Sequence, residues 1–310
     1  MKTAVVGPGA LGCLLAASFL EAGEEVVLVD YRPERAALLR KQGIQIQTLD
    51  GAQKVVHVPD DLPPEAGVCQ LVIMAVKAHQ TRAASRSLPD LMAKDTVVLT
   101  LQNGLGNLEE MAGVVGREPL LAGVAFLGVT RRDEGRVVHA GAGAIIIGAP
   151  PGSRVTEEEV QGIVSMFRRA GWDCQAHPDI QTLLWDKLLV NVGINPFTAL
   201  LRVPNGVLLE LPEAWDLAVA AAREAQAVAQ AGGVPLRGDP EERLRQVCTA
   251  TAANRSSMLQ DVLAGRPTEI EALNAQVVAR GAALGVATPV NYVLTQLLRA
   301  WGRAGDMRVG

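Results

Sequence analysis

The stretch TAVVGPGALG, Thr3–Gly12, decides the fold of the first half of the chain. Its apolar residues predict a strand, and the segment Ala10–Ala22 predicts a helix directly after it. Gly7 permits a tight turn, Gly9 lets a pyrophosphate approach the backbone, and Gly12 allows the helix to pack closely on the strand. The start of the helix offers free N–H groups and a partial positive charge to phosphates. The pattern favours a dinucleotide site over a glycine turn that only packs.

The residues that follow the next predicted strand, Glu25–Val29, bear on the type of dinucleotide. Asp30 is placed to bind a ribose 2′-hydroxyl, which favours NAD(H). Arg32 and Arg35 follow within one helical turn, and guanidinium groups there can hold a 2′-phosphate or simply face solvent. The residues therefore leave NAD(H) and NADP(H) both open. The cofactor-binding residues predicted in this part of the chain are Gly7, Pro8, Gly9, Ala10, Leu11, Gly12, Asp30 and Arg32.

Strands and helices continue to alternate through the first half of the chain, which predicts an α/β doubly wound, Rossmann-type sheet. The predicted elements are a helix at Pro33–Gln42, a hairpin of Ile44–Thr48 and Lys54–Val58, a strand at Leu71–Val76, a helix at Gln80–Ala93, a strand at Thr96–Leu101 and a helix at Gly106–Val115. The later apolar segments, predicted as antiparallel additions to the sheet, are Leu120–Val129, Arg136–Ala140 and Ala144–Gly148.

Two polar residues directly follow predicted strands of this sheet. Lys77 comes after the strand that ends at Val76, and Asn103 comes after the strand that ends at Leu101. Open α/β sheets bind ligands outside the carboxyl ends of their strands, so both residues are candidate cofactor ligands. The alternatives are a solvated lysine and an ordinary turn asparagine.

Beyond about residue 178 the strand pattern disappears and long helical segments with Gly/Pro-rich linkers take its place. These helices are predicted at Ile180–Leu201, Glu213–Ala231, Pro240–Ala264, Glu269–Leu284 and Pro289–Ala300. The predicted domains are therefore a dinucleotide-binding domain over residues 1–178 and an all-helical substrate domain over residues 179–310.

Composition excludes several classes of protein. The net charge of -4 disfavours nucleic acid as a partner, because a nucleic-acid-binding surface is normally basic. No apolar run is long enough for a membrane helix, and the chain opens directly on a strand, so we expect a cytoplasmic protein. The cysteines and histidines show no metal-ligand spacing, so no metal is expected; the four cysteines are expected to be buried apolar residues.

A polar stripe interrupts the most apolar predicted helix. Lys187, Asn191 and Asn195 follow one another at a spacing of four residues and so share one face. These side chains either bond to neighbouring helices or line a polar cavity for a ligand, and the spacing favours the cavity. Burial lowers the pKa of a lysine, which suits Lys187 to exchange a proton near neutral pH.

A second polar segment lies at residues 254–271. Asn254, Ser257 and Asp261 are predicted along one helical face, which is alternatively a solvent-exposed face. Thr268 and Glu271 have the spacing of a capping box, which leaves Glu269 without a structural role other than complementing the helix dipole.

Taken together, the chain resembles the ketopantoate reductase (2-dehydropantoate 2-reductase) family, which is related to the 6-phosphogluconate dehydrogenase-like reductases. The resemblance covers nearly the whole chain, and its long C-terminal blocks are more specific than the glycine loop. The motifs are GPGALG at 7–12, AVKAHQ at 75–80, QNGLG at 102–106, LWDKLLVNVGINPFTAL at 184–200, PNG at 204–206 and NRSSMLQDVLAGRPTEIEALN at 254–274.

The resemblance implies a Rossmann domain, a helical C-terminal domain and a cleft between them for cofactor and substrate. It implies that Lys187 is the catalytic acid, that Glu269 holds substrate and supports catalysis, and that Lys77 binds the cofactor. The substrate-binding residues that it implies are Asn103, Asn191, Asn195, Asn205, Asn254, Ser257 and Glu269. Because NADPH-preferring members carry a basic residue near the end of the second strand, Asp30 at that place departs from the pattern.

The function that the resemblance implies is reduction of 2-dehydropantoate to (R)-pantoate with NADP(H), or with NAD(H) because of Asp30, in the biosynthesis of pantothenate and coenzyme A. Two rivals are a similar reductase of another small 2-oxo or 3-hydroxy acid and a nucleotide-sensing protein without catalysis. A small molecule is the expected partner, and a homodimer is left open.

Overall fold

The computed structural model describes residues 1–30, 32–59 and 68–305. They form two compact units. The first consists of Met1–Gln102 and Asn107–Ile180, and the second consists of Asn103–Gly106 and Gln181 onward. The four residues Asn103–Gly106 therefore belong with the second unit although the chain on both sides of them belongs to the first. The predicted domains, each formed by one continuous segment with the boundary between residues 178 and 179, stay a prediction.

A seven-stranded sheet forms the centre of the first unit. Its strands are β1 (Lys2–Val6), β2 (Glu25–Val29), β5 (Cys69–Met74), β6 (Met92–Thr100), β7 (Leu120–Ala125), β10 (Ile145–Gly148) and β11 (Cys174–Ala176), arranged in the order β11-β10-β7-β6-β5-β1-β2. The five adjacent strands β7, β6, β5, β1 and β2 run parallel to one another. Strands β5 and β6 present almost only buried apolar side chains over their inner parts, as a sheet covered on both faces requires. The predicted Rossmann-type fold class is confirmed.

The segment predicted as one antiparallel strand, Leu120–Val129, divides into two strands. Strand β7 lies parallel to β6 and antiparallel to β10, so the prediction of purely antiparallel additions is wrong for it. The rest enters β8 (Gly128–Asp133), which belongs to a second sheet with β3 (Ile44–Gln47), β4 (Gln53–Val56) and β9 (Arg136–Gly141), in the order β4-β3-β9-β8. The predicted hairpin thus forms strands β3 and β4, which make up one half of this sheet.

The helices of the first unit match the sequence pattern in part. They are α1 (Ala10–Glu21), α2 (Pro33–Gln42), α3 (Thr81–Ser85), α4 (Leu88–Leu91), α5 (Asn107–Val115) and α6 (Glu157–Arg169). The single helix predicted at Gln80–Ala93 is wrong, because Pro89 lacks an N–H and its ring conflicts with the carbonyl of Ser85, where α3 ends. Helix α6 was not predicted, although Thr156 and Glu159 form a capping box at its start.

The second unit is helical around its own apolar core. Its helices are α7 (Ile180–Leu201, of which Ile180 is in the first unit), α8 (Pro212–Ala231), α9 (Pro240–Ala250), α10 (Ser257–Leu263), α11 (Asn274–Leu284) and α12 (Pro289–Ala304), with a 3₁₀ turn at Asn205–Glu210. None of the helices in the described part of the chain is both long and apolar enough to cross a membrane. All four cysteines are buried and unpaired, as predicted.

Two predicted helices of this unit are shorter than expected. The helix predicted at Pro240–Ala264 stops at Ala250, because the carbonyls of Ala252 and Asn254 accept N–H groups from the 3₁₀ turn at Asn205–Glu210 instead of continuing a helix. The helix predicted at Glu269–Leu284 begins only at Asn274.

The turn at residues 269–273 corrects the predicted capping box. The Ala272 carbonyl accepts the N–H of Leu105 at 2.9 Å, and Gln276, the donor that a helix would use, bonds to Leu273 instead. Thr268 and Glu271 therefore do not cap a helix, and the Glu271 carboxylate instead pairs with Arg299.

Candidate active site

The glycine loop has the geometry that phosphate binding requires. Gly7 has a φ of +91°, and a Cβ there would lie 2.4 Å from Cγ1 of Val76; a Cβ at Gly12 would lie 2.2 Å from the Gly7 carbonyl oxygen. At Gly9 the nearest atom would be 4.0 Å away, which leaves room beside the backbone. No side chain caps α1, so its first N–H groups, which helix geometry leaves without a partner, stay available to an anion. The loop fits a dinucleotide pyrophosphate.

Asp30 lies at the centre of a charged cluster at the end of β2. Its side chain is completely buried. One carboxylate oxygen pairs with the Nε of Arg35, and the other accepts the backbone N–H of Arg32 at 2.9 Å. Glu134, from the turn between β8 and β9, contacts the guanidinium groups of Arg32, Arg35 and Arg131 at 3.1, 3.6 and 3.5 Å. Glu134 and Arg131 were not singled out from the sequence, because only long-range strand pairing brings them here.

Lys77 lies where the sequence places it, as the third residue beyond the end of β5, after Ala75 and Val76. The N–H of Ala75 bonds to the carbonyl of Val6, so this segment lies beside the glycine loop of the same unit. Lys77 is half-buried and immediately precedes a short 3₁₀ turn at Ala78–Gln80. Its position fits a ligand role, which stays a prediction.

The predicted polar stripe lies on α7 in the second unit. Lys187 and Asn191 are half-buried, and Asn195 is only 6% exposed among apolar neighbours. Thr198, one turn further, donates to the Asn195 carbonyl at 3.1 Å and bonds to Ser256 at 2.7 Å. The stripe therefore continues toward the start of α10.

The Glu269 carboxylate acts electrostatically on the Lys187 amine. Burial lowers the pKa of Lys187 to about 8, and the Glu269 carboxylate partly opposes that shift. Glu269 is 6% exposed, and Nδ2 of Asn103 donates to its Oε2 at 3.5 Å. Three of the predicted site residues are thus linked, although they come from distant parts of the chain.

Asn103 is held in place by the residues that follow it. Gly104 has a φ of +80°, and a Cβ there would lie 2.1 Å from the carbonyl oxygen of Ala272. The next residue, Leu105, donates its N–H to that same oxygen. The backbone bond between Leu105 and Ala272 therefore joins the two segments that carry Asn103 and Glu269, in addition to the bond between their side chains.

The remaining predicted residues divide between a frame and the start of α10. Asn205 donates its backbone N–H to the Asn254 carbonyl at 3.0 Å and its Nδ2 to Oγ1 of Thr251 at 2.9 Å. Asn254 is exposed and lies outside α10, so the prediction that it shares a helical face with Ser257 is wrong. Ser257 is half-buried at the first position of α10, and its neighbour Ser256 caps that helix.

Two family profiles match the chain, one in each half. The family profile described as "Ketopantoate reductase PanE/ApbA" matches residues 3–152, and the profile described as "Ketopantoate reductase PanE/ApbA C terminal" matches residues 179–302. The chain belongs to the ketopantoate reductase family. The resemblance expected from the sequence motifs is confirmed, and the match extends over both structural units.

Individual relatives agree with the family. The chain is 36% identical over 307 residues to the 2-dehydropantoate 2-reductase of Halobacterium salinarum, covering 98% of this chain and 100% of the relative. Among solved structures, a ketopantoate reductase from Ralstonia eutropha has a TM-score of 0.88 at 29% identity, covering 99% of this chain and 100% of that one. A D-mandelate dehydrogenase, solved with NADH and anilino(oxo)acetate, has a TM-score of 0.90 at 25% identity and covers 99% of both chains.

Proposed function

We propose that this protein reduces 2-dehydropantoate to (R)-pantoate with a nicotinamide nucleotide, and that Lys187 donates the proton. The observation that carries the proposal is the half-buried Lys187, whose pKa is lowered by desolvation and raised by the Glu269 carboxylate, on a helix whose same face bears Asn191 and Asn195. Membership of the ketopantoate reductase family supports the choice of substrate. The first unit is assigned as the dinucleotide-binding domain and the second as the substrate domain.

Lys187 performs the acid step. A bound reduced nicotinamide nucleotide supplies the hydride for the C2 carbonyl of the substrate. Negative charge grows on the carbonyl oxygen, and the Lys187 ammonium stabilises this charge and transfers a proton to it. A pKa of about 8 leaves the amine mostly protonated at neutral pH while making its proton easier to transfer than that of a solvated lysine.

Glu269 has two tasks in this scheme. Its carboxylate favours the charged form of Lys187, because an opposite charge raises the pKa that burial lowers. The same carboxylate accepts a hydrogen bond from a substrate hydroxyl, and Asn103 orients it. Asn191, Asn195 and Ser257 are assigned to the polar groups of the substrate, with Asn205 and Asn254 as the frame that holds the adjoining loop.

We propose NADP(H) as the preferred cofactor. Asp30 is the residue that would favour NAD(H), but its carboxylate is buried and already engaged by Arg35 and by the backbone of Arg32. The most exposed charge of the cluster is that of Arg32, whose side chain is 41% exposed, while Glu134 and Arg131 are 31% and 26% exposed. A 2′-phosphate would find two guanidinium groups there, which is the chemistry that recognises phosphate.

The decisive experiment follows the absorbance of the reduced nicotinamide with 2-dehydropantoate as substrate, in parallel reactions with NADH and NADPH. We expect turnover with 2-dehydropantoate and a higher kcat/KM with NADPH. Tight binding of either nucleotide without turnover of any 2-oxo acid would instead indicate a nucleotide-sensing protein.

A second candidate is reduction of another 2-oxo acid. The likeness to a D-mandelate dehydrogenase over 99% of both chains favours this alternative. A panel that includes 2-oxo-2-phenylacetate, 2-oxoisovalerate and 2-dehydropantoate separates the two functions by kcat/KM. The alternative replaces the first proposal if 2-oxo-2-phenylacetate is reduced more efficiently than 2-dehydropantoate.

A further inference from the structure

Pro196 leaves a gap in the hydrogen bonds of α7. It lies inside the helix and has no N–H, so the carbonyl of Val192, four residues earlier, loses its usual donor. That carbonyl lies among fully buried residues, where an unpaired polar group is costly. The structure therefore needs a donor from outside the helix at this point.

Asn274 supplies that donor. Its Nδ2 lies 3.2 Å from the Val192 carbonyl oxygen and 2.9 Å from Oδ1 of Asn291. Asn274 is completely buried, and both hydrogens of its amide are used. A carbonyl oxygen can only accept, so the orientation of the Asn274 amide is fixed by chemistry.

Asn291 anchors Asn274 on the other side. Its Nδ2 donates to the Ala221 carbonyl at 2.9 Å and to Oε2 of Glu224 at 2.7 Å. Glu224 also accepts the backbone N–H groups of Val290 and Asn291 at 2.9 and 3.0 Å. Two buried asparagines thus join α7, α8, α11 and α12 by directional bonds, which fix helix positions more narrowly than apolar packing does.

The position of Asn274 in the chain connects this network to the site. It is the first residue of α11, directly after the turn in which the Glu269 carbonyl accepts the N–H groups of Ala272 and Leu273 at 3.0 and 3.1 Å. Val192, its partner on α7, lies next to Asn191 and on the helix that carries Lys187. The bond therefore links the element that carries the proton donor with the turn that carries Glu269.

We propose that Asn274 is a positioning residue for the Lys187–Glu269 pair, acting through the Val192 carbonyl that Pro196 leaves without a donor. This inference rests on the proposed function of Lys187 and Glu269. It also gives Pro196 a role, because its missing N–H leaves the Val192 carbonyl available to a donor outside α7.

The test uses Asn274→Ala, Pro196→Ala and the double variant in the full-length protein. Pro196→Ala gives the Val192 carbonyl a donor within α7. In the double variant this carbonyl therefore has a donor, while the link from α7 to α11 is still missing. The double variant therefore separates satisfaction of a buried carbonyl from positioning. Thermal unfolding is measured on every variant, and kcat, KM and the pH profile of kcat/KM are measured at temperatures where the variants are folded.

We expect Asn274→Ala to lower kcat about tenfold to a hundredfold, since small displacements of reacting groups have effects of that size. We also expect its alkaline pKa in kcat/KM to move, because the distance between Lys187 and Glu269 changes. In the Pro196→Ala background, the loss of thermal stability caused by Asn274→Ala should shrink, while the loss of kcat should persist relative to Pro196→Ala alone.

The matched control is Ser85→Ala. Ser85 is completely buried in the first unit, and its hydroxyl donates at 2.8 Å to the Thr81 carbonyl one turn earlier, so the change removes a buried hydrogen bond that has no link to α7 or α11. We expect a lower melting temperature with unchanged kcat and pH profile. If kcat recovers together with stability in the double variant, Asn274 has only a structural role and the proposal is overturned.

The stability cycle keeps this inference separate from the proposed function. It needs no substrate, so it can be completed even if the wild-type protein reduces no 2-oxo acid. An equal stability loss from Asn274→Ala in both backgrounds would show that Asn274 does not act through the Val192 carbonyl.

Discussion

The carboxylate of Glu269 opposes the effect of burial on Lys187: burial lowers the pKa of the amine to about 8, and the carboxylate raises it. The two residues lie 82 positions apart in sequence, as the difference of their numbers shows. Lys187 must be protonated to act as an acid, and its pKa of about 8 lies only slightly above neutral pH. The rate should therefore depend on pH in a way that identifies both residues.

The first prediction concerns the Lys187 amine itself. Lys187→Ala should lower kcat about 10²–10⁴-fold, the usual contribution of a positioned proton donor, and leave nucleotide binding intact. Steady-state kinetics and quenching of tryptophan fluorescence by NADPH measure the two effects. Turnover within a few-fold of the wild type would remove Lys187 from the mechanism.

The second prediction is the pH dependence. Because the Lys187 amine must be protonated, kcat/KM should fall as the pH rises through about 8. Glu269→Gln removes the negative charge that favours the ammonium, so the alkaline limb should move to lower pH. A limb that stays in place, or moves to higher pH, would show that the carboxylate does not act on Lys187.

The third prediction concerns cofactor choice. Glu134→Gln removes the carboxylate that the three guanidinium groups share, so NADPH should bind about tenfold more tightly, and NADH should change little. Arg131→Ala should weaken NADPH binding selectively. Calorimetric titration with adenosine 2′,5′-bisphosphate and with 5′-AMP measures the 2′-phosphate contribution without any turnover. Equal effects on the two ligands would contradict the assignment.

The fourth prediction uses two glycines with nearly the same backbone conformation. Gly104 and Gly116 have φ values of +80° and +78°, but a Cβ at Gly116 meets nothing within 4 Å. Gly116→Ala should lower the free energy of unfolding by about 1–2 kcal/mol through backbone strain alone. Gly104→Ala should lower it by about 1–3 kcal/mol more and reduce activity, because the new methyl group would displace Ala272. Denaturant unfolding and kcat/KM of both variants provide the check.

The fifth prediction separates two adjacent serines. Ser256 accepts the N–H of Leu259 at 3.1 Å as the cap of α10 and also bonds to Thr198, so Ser256→Ala should lower the free energy of unfolding by about 1–3 kcal/mol. Ser257→Ala should leave stability unchanged and raise KM for the substrate. If the substitution at Ser257 changes only the melting temperature, its assignment to the substrate is wrong.

Elements set by local signals could be predicted from the sequence. The glycine loop with its flanking strand and helix, α2 and the long helix α7 all lie within a residue or two of their predicted bounds, because their turn residues and apolar periodicity are local. The stripe of Lys187, Asn191 and Asn195 follows directly from the helix period. Helix α6 could also have been predicted, since Thr156 and Glu159 give a local capping signal.

Features that depend on distant residues could not be predicted. Residues 45–47 of β3 pair with residues 136–138 of β9, and this pairing places Glu134 near Arg32. Helix α11 starts later in the sequence than predicted because the N–H of Leu105 donates to the Ala272 carbonyl. Pro196 does signal an unpaired carbonyl at Val192, but nothing in the sequence identifies Asn274 as its donor. The homodimer and the cellular location stay predictions.

The excursion of Asn103–Gly106 into the second unit has a consequence for dissecting the protein. A polypeptide that starts at Gln181 would contain every helix from α8 to α12, yet Ala272 would lose the amide that meets its carbonyl and Glu269 would lose its neighbouring asparagine. Such a fragment lacks a tetrapeptide that its own fold uses. Attempts to express the helical part alone, or to graft it onto another nucleotide-binding domain, should therefore carry a copy of the sequence Asn-Gly-Leu-Gly with it.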